Sequence, residues 1–182
     1  MCRSFLSVWK NEKGDEISDG RNNLGVVSIN LPRIALESQS VDHFFELLDA
    51  KLDLCHTALR HRYETALKAT PDNAPLIYKE GAFGHRLQSQ DSVKELFDNQ
   101  RASLSLGYIG VHHVVTHLLG IDKMIHNKEA EELGLEIVSY LRKKVDKWKL
   151  NENIGYSLYS TPSEGLCDRF LRLDKAKYGV VK

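Results

Sequence analysis

The sequence is short of cysteine: three in 182 residues, at Cys2, Cys55 and Cys167. Three widely separated thiols make no disulfide framework and no CxxC metal knuckle, so a reduced, cytoplasmic protein is expected. An excess of either charge is also lacking, since Lys plus Arg and Asp plus Glu both number 25. Without a basic surplus there is no counterion release to hold a phosphate backbone, and direct nucleic-acid binding is not expected. Long apolar runs are missing too. LGVV at 24–27 and HVVTHLLG at 113–120 fall far below the roughly 20 residues of a membrane span. The N-terminal MCRSFLSVWKNEKGDE turns charged too early for a signal peptide. No repeat, low-complexity tract or linker divides the chain, and its length suits one domain with a sizeable core.

What the sequence does contain is an alternation of strand-like and helix-like stretches. The polar, Gly- and Asn-rich segment 11–23 is a loop that leads into LGVVSINLP at 24–32, a β-branched run closed by Pro32. From Val41 to about Ala69 the residues Val41, Phe44, Phe45, Leu48, Leu52, Cys55, Leu59, Tyr63 and Ala66 form one helical stripe, which Pro71 ends. Further strands are expected at 74–81, 102–111 and 153–160, and in YGVV near the end. Helices are expected at 92–100, over HVVTHLLG, at 128–150, and from TPSEGLCDRFLRLDKAK onward. This order predicts an α/β fold with a parallel sheet of five strands. The pattern leaves open whether the sheet is an independent domain or part of a larger barrel.

Five features are candidates for chemistry. In STPSE at 160–164, Thr161 has the place of an N-cap, Pro162 that of the first helical residue and Glu164 the third, which is a capping box. Such a helix start at the end of a strand offers free N–H groups to a phosphate, with Thr161 and Ser163 hydroxyls beside it, although a well-capped helix alone explains the pattern equally. GAFGHRL at 81–87 matches neither GxGxxG nor a P-loop and reads as a turn. Of eight histidines, His113 and His117 share a helical face but have no third ligand at metal spacing, so no metal site is expected. His112 and His113 are expected to be partly buried and hydrogen bonded. Cys55 and Cys167 belong to helices and the core, whereas Cys2 sits in an irregular segment beside Arg3, whose charge favours a thiolate. The asparagines of GRNNLG either present amides to a ligand or simply make the turn.

CRSFL at 2–6, GRNNLGVVSINLPRIAL at 20–36, GAFGHRL, NQRASLSLGYIGVHH at 99–113 and IGYSLYSTPSEGLCDRFLRLD at 154–174 resemble, in the same order, the anaerobic (class III) ribonucleoside-triphosphate reductases. The resemblance implies a glycyl-radical enzyme whose ten-stranded α/β barrel is made of two five-stranded halves. Residues 1–182 then form a single partial domain, the second half, starting at the finger-loop cysteine. Cys2 matches the cysteine that becomes a thiyl radical, and Asn23 the amide that meets the ribose hydroxyls or formate. Ser160, Thr161, Pro162, Ser163 and Glu164 match the loop and helix start that receive substrate phosphates. His113 stands where the family is expected to carry glutamate, and an imidazole there changes both reach and charge.

The regulatory ATP cone and first barrel half are expected to precede Cys2. The glycyl-radical loop and a four-cysteine structural zinc site are expected beyond residue 182, so no cofactor is expected within the segment and formate is the co-substrate. The partners implied are ribonucleoside triphosphates, the rest of the reductase chain, a radical-SAM activating enzyme and a second copy in the full-length dimer. By itself the segment is expected to be inactive. Two other readings compete: a non-catalytic nucleotide-binding or complementing module derived from that enzyme, and a thiol redox protein built around Cys2.

Overall fold

The computed structural model describes residues 6, 8–162 and 164–179. Trp9–Lys10 (β1) and Glu16–Ile17 (β2) form a short antiparallel hairpin, with Trp9 opposite Ile17, so that its second strand lies in the segment 11–23 expected to be loop. Asn11 builds its turn. The Oδ1 atom accepts from the N–H groups of Lys13 and Asp15, both at 2.9 Å, and Gly14 takes the positive φ of 85° that the reversal needs.

Asn22–Asn30 (β3) passes directly into the helix Leu31–Glu37 (α1). Asn30 caps that helix through Arg33 N–H, and Pro32 lies in its first turn, where a missing N–H costs nothing. Val41–Ala66 (α2) follows the predicted stripe, with Phe44, Leu48, Leu52 and Leu59 all buried. Pro75–Tyr78 (α3) corrects the strand expected at 74–81. Pro75 opens a single helical turn closed by Lys79 N–H on the Pro75 carbonyl at 2.7 Å, and Leu76 is 77% exposed, unlike a core strand. The helix expected at 92–100 is a 3-10 turn, Val93–Leu96, capped by Ser92. Ala102–Ile109 (β4), Val111–Leu119 (α4), Lys128–Glu152 (α5), Gly155–Ser160 (β5) and Gly165–Tyr178 (α6) complete the described elements. Of YGVV, Tyr178 ends α6, while residues 180–182 lie outside the described residues.

Among the described residues, β3, β4 and β5 form a three-stranded sheet in that order. Its strands are parallel. Asn22 N–H bonds the Arg101 carbonyl where β3 and β4 start, and Thr161 N–H bonds the Tyr108 carbonyl where β4 and β5 end. The α/β class and the parallel direction therefore hold, with three sheet strands in place of the five expected.

The chain falls into two compact units. One holds residues through Val27, His56–Leu106 and Lys143–Tyr159; the other holds Ser28–Cys55, Gly107–Arg142 and the residues from Ser160 on. In the first, Leu87, Val93, Leu96, Phe97 and Ala102 make a buried cluster, with Leu24, Tyr63, Ala66 and Phe83 packed against it. In the second, the buried residues include Leu31 and Ile34 of α1, Phe44 and Leu48 of α2, Val114 and Val115 of α4, and Ile137 and Leu141 of α5. Here α6 is fastened to the β3–α1 junction. Asp174 accepts from Asn30 Nδ2 at 2.8 Å and from Arg33 Nε at 2.5 Å, and Glu37 takes Lys177 and Tyr178. No described helix is long and apolar enough to cross a membrane.

Candidate functional site

The first unit holds Asn23 near the start of β3. Its side chain is held on both sides. Oδ1 accepts the Gly25 N–H at 2.9 Å, and Nδ2 donates to Ser105 Oγ of β4 at 2.8 Å. Ser105 Oγ lies 2.9 Å from Ser157 Oγ of β5, so one polar line crosses all three strands. The neighbouring Asn22 is buried and structural, donating from Nδ2 to the Leu96 carbonyl at 3.2 Å. Cys2, the other residue expected to act at the ribose, lies outside the described residues.

In the second unit the loop after β5 holds Ser160, Thr161, Pro162 and Glu164; Ser163 lies outside the described residues. The expected capping box does not form. Thr161 directly follows β5, its N–H on the Tyr108 carbonyl at 3.0 Å and its hydroxyl 3.1 Å from Ser28 Oγ. Its N–H is thus committed to β4, and α6 begins only at Gly165, with Glu164 as an N-cap that makes no side-chain bond. The helix start still follows the end of a parallel strand, so its first N–H groups face outward with no carbonyl one turn earlier.

Ser160 also borders a cavity of about 330 Å³ lined by Tyr108, Val111, Met124, Leu135 and Val138. The helix α4 opens beside it at Gly110, whose φ is 90° and whose missing side chain lets Pro32 of α1 approach. His112 and His113 are exposed on α4, their rings 5.6 Å apart, which corrects the expectation that both are partly buried. His117 is also exposed, and among the described residues no three His, Cys, Asp or Glu side chains gather to hold a metal ion.

GAFGHRL forms a turn, with Gly81 and Gly84 both at positive φ. Arg101 pins it by donating from Nη2 to the Phe83 carbonyl at 2.7 Å while its guanidinium lies over the Trp9 ring. A charged cluster of the same unit lies elsewhere. Glu152 accepts from Tyr156 Oη at 2.7 Å and pairs with Arg60 Nη1 at 3.0 Å. His56 stacks on Trp148 at 4.5 Å, which sets its Nε2 2.7 Å from Glu152 Oε1 without the alignment of a hydrogen bond. Burial pushes the Glu152 carboxyl up. The bonds from Tyr156 and Arg60 and the charges of His56 and Arg60 outweigh that and hold it below the ordinary carboxylate range. Cys55 behaves as a core thiol, its pKa pushed up to about 11 by burial.

Sequence reasoning singled out Asn23 but missed Ser105 and Ser157. The available signal was the alternation in ASLSLG, where Ser103 and Ser105 interleave with Ala102, Leu104 and Leu106, so that β4 has one polar and one apolar face.

The family model described as anaerobic ribonucleoside-triphosphate reductase matches residues 1–182. The chain is 52% identical over 181 residues to the anaerobic ribonucleoside-triphosphate reductase of Escherichia coli (strain K12), covering 99% of this chain and 25% of that protein. It is 47% identical to those of Haemophilus influenzae and Enterobacteria phage T4, covering 100% of this chain and 26% and 29% of theirs. The chain therefore spans about a quarter of the length of the curated relatives it matches. A crystal structure of the anaerobic ribonucleotide reductase from Thermotoga maritima, with citrate in the active site, aligns with a TM-score of 0.67 at 19% identity. That alignment covers 95% of this chain and 30% of that one, and it establishes likeness of fold.

Proposed function

This chain belongs to the anaerobic ribonucleoside-triphosphate reductase family, and from that membership we propose that it is a catalytic-barrel segment of such an enzyme. The observation that carries the proposal is the match of the family model along all of residues 1–182. On this reading β3, β4 and β5 belong to the second half of a ten-stranded α/β barrel. The reaction converts a ribonucleoside triphosphate, formate and a proton to the deoxyribonucleoside triphosphate, carbon dioxide and water.

Cys2 is proposed as the radical cysteine. Its thiyl takes the hydrogen from C3′ of the ribose, and the 2′-hydroxyl then leaves as water. The glycyl radical expected elsewhere in the full-length chain supplies the one-electron oxidation that makes the thiyl. Asn23 hydrogen-bonds the ribose hydroxyls or formate with the atoms that Gly25 and Ser105 leave free: one Nδ2 hydrogen and one Oδ1 lone pair. Ser160 to Glu164 and the first N–H groups of α6 receive the phosphates. His113, exposed at the start of α4, is positioned by the resemblance where a proton donor acts, and an imidazole can fill that role near neutral pH.

The structural zinc is proposed to lie outside this segment, and no residue here is assigned to it. The full-length enzyme is proposed to be a cytoplasmic homodimer activated by a radical-SAM partner. No observation favours the non-catalytic module. Cys2→Ala in the full-length reductase is the test: turnover is expected to vanish while triphosphate binding persists. Turnover that survives the substitution refutes the radical role.

A further inference from the structure

We propose that Ser105 and Ser157 are positioning residues that fix the Asn23 amide for catalysis, an inference that rests on the reading of Asn23 as a ribose- or formate-binding group. Hydrogen-bond polarity carries it. A backbone N–H can only donate, so the atom of Asn23 that faces Gly25 N–H at 2.9 Å must be the amide oxygen. The amide nitrogen is then committed to Ser105 Oγ at 2.8 Å. Ser105 has no exposed surface, so once it has accepted from Asn23 its own hydrogen needs a protein acceptor. Among the described residues that acceptor is Ser157 Oγ at 2.9 Å. The direction of the line is thereby fixed from Gly25 through Asn23 and Ser105 to Ser157. Ser157 is half-buried, and its hydroxyl hydrogen is left to point onward.

The consequence is that the amide cannot flip without depriving the Gly25 N–H of its acceptor. A flipped Asn23 would set its NH₂ against the Gly25 N–H, donor against donor, and its oxygen against Ser105. The Gly25 N–H thus selects one of the two amide orientations, and Ser105, itself held by Ser157, anchors the amide nitrogen before substrate arrives. Ser103, two residues earlier on the same strand face, is equally enclosed, but its hydroxyl has no partner among the described residues, so it takes no part in the line.

The experiment measures turnover and KM in the full-length reductase for Asn23→Ala, Ser105→Ala, Ser157→Ala, Ser103→Ala and the double variant Asn23→Ala/Ser105→Ala. Ser105→Ala is expected to lower kcat about tenfold with little change in KM, because it frees the amide without removing it. Ser157→Ala loses less, Ser103→Ala loses nothing, and the double variant is no slower than Asn23→Ala alone. Losses that multiply in the double variant, or equal losses from Ser103→Ala and Ser105→Ala, overturn the positioning role and assign the effect to packing. Full turnover in Asn23→Ala overturns instead the reading on which the inference rests. Ser157 is not enclosed, so its variant supplies the same coupling test through Asn23→Ala/Ser157→Ala if Ser105→Ala does not fold.

Discussion

Replacing Glu152 by glutamine should destabilise the chain by about 2 kcal/mol at pH 7, and the loss should disappear in acid. Glu152 is 16% exposed at its side chain and serves three groups: Tyr156 Oη, Arg60 Nη1 and His56 Nε2. A hydrogen bond to a charged group contributes about 1.5–3 kcal/mol. Arg60 is 42% exposed, so its pair is screened and adds well under 1 kcal/mol. Glutamine keeps one acceptor oxygen for Tyr156 but turns its NH₂ toward cations, which gives the net figure. The pH dependence follows from the depressed carboxyl. A group with a lowered folded-state pKa contributes stability above its unfolded value, about 4.3, and loses it as pH falls through the folded value. Urea unfolding followed by circular dichroism at pH 7 and at steps down to pH 3 measures both. At pH 7 the melting temperature should also fall by about 4–8 °C for a chain of this size. A stability gap between wild type and variant that stays constant across that range would refute the electrostatic account and leave only shape.

Two further outcomes follow from packing. Gly110→Ala should cost about 3 kcal/mol, since it adds positive-φ strain and a Cβ 2.3 Å from Pro32 Cγ, read from the shift in urea midpoint. Cys55 should alkylate at pH 8 at least about 100-fold more slowly in the folded chain than in urea, because its pKa of about 11 leaves little thiolate; mass spectrometry resolves it from Cys167.

The long helices and the three sheet strands were legible because their patterns are long enough to fix a period. The α2 stripe from Phe44 to Leu59 buries as drawn, and Pro32 marks the strand end although it sits inside α1. The misreadings have local causes. At 74–81 a run of three apolar residues behind Pro75, Leu76 to Tyr78, is too short to separate strand from helical turn, and Pro75 sets the helical φ. The capping box failed because competition decided it. Thr161 has two uses for its polar groups, the Tyr108 carbonyl and the Ser28 hydroxyl, and both come from distant sequence. His112 and His113 were expected to be partly buried, but a helix buries only one stripe, and Val114 and Val115 occupy it. Asn23 was legible as a candidate amide; its partners were not, since Ser105 lies 82 residues away.

The two faces of β4 show which residues serve stability and which do not. Ala102, Leu104 and Leu106 are fully buried, and each such leucine contributes about 1.5–3 kcal/mol through burial alone. Ser103 and Ser105 are just as buried and contribute no comparable apolar area. Ser103 even carries an unsatisfied hydroxyl, a penalty of about 1–3 kcal/mol that alanine would remove. A strand chosen only for stability would therefore be apolar on both faces. β4 instead keeps hydroxyls on the face that meets Asn23: Ser105 holds the amide at 2.8 Å, Ser103 bonds nothing among the described residues, and the apolar packing of the opposite face offsets the cost of both.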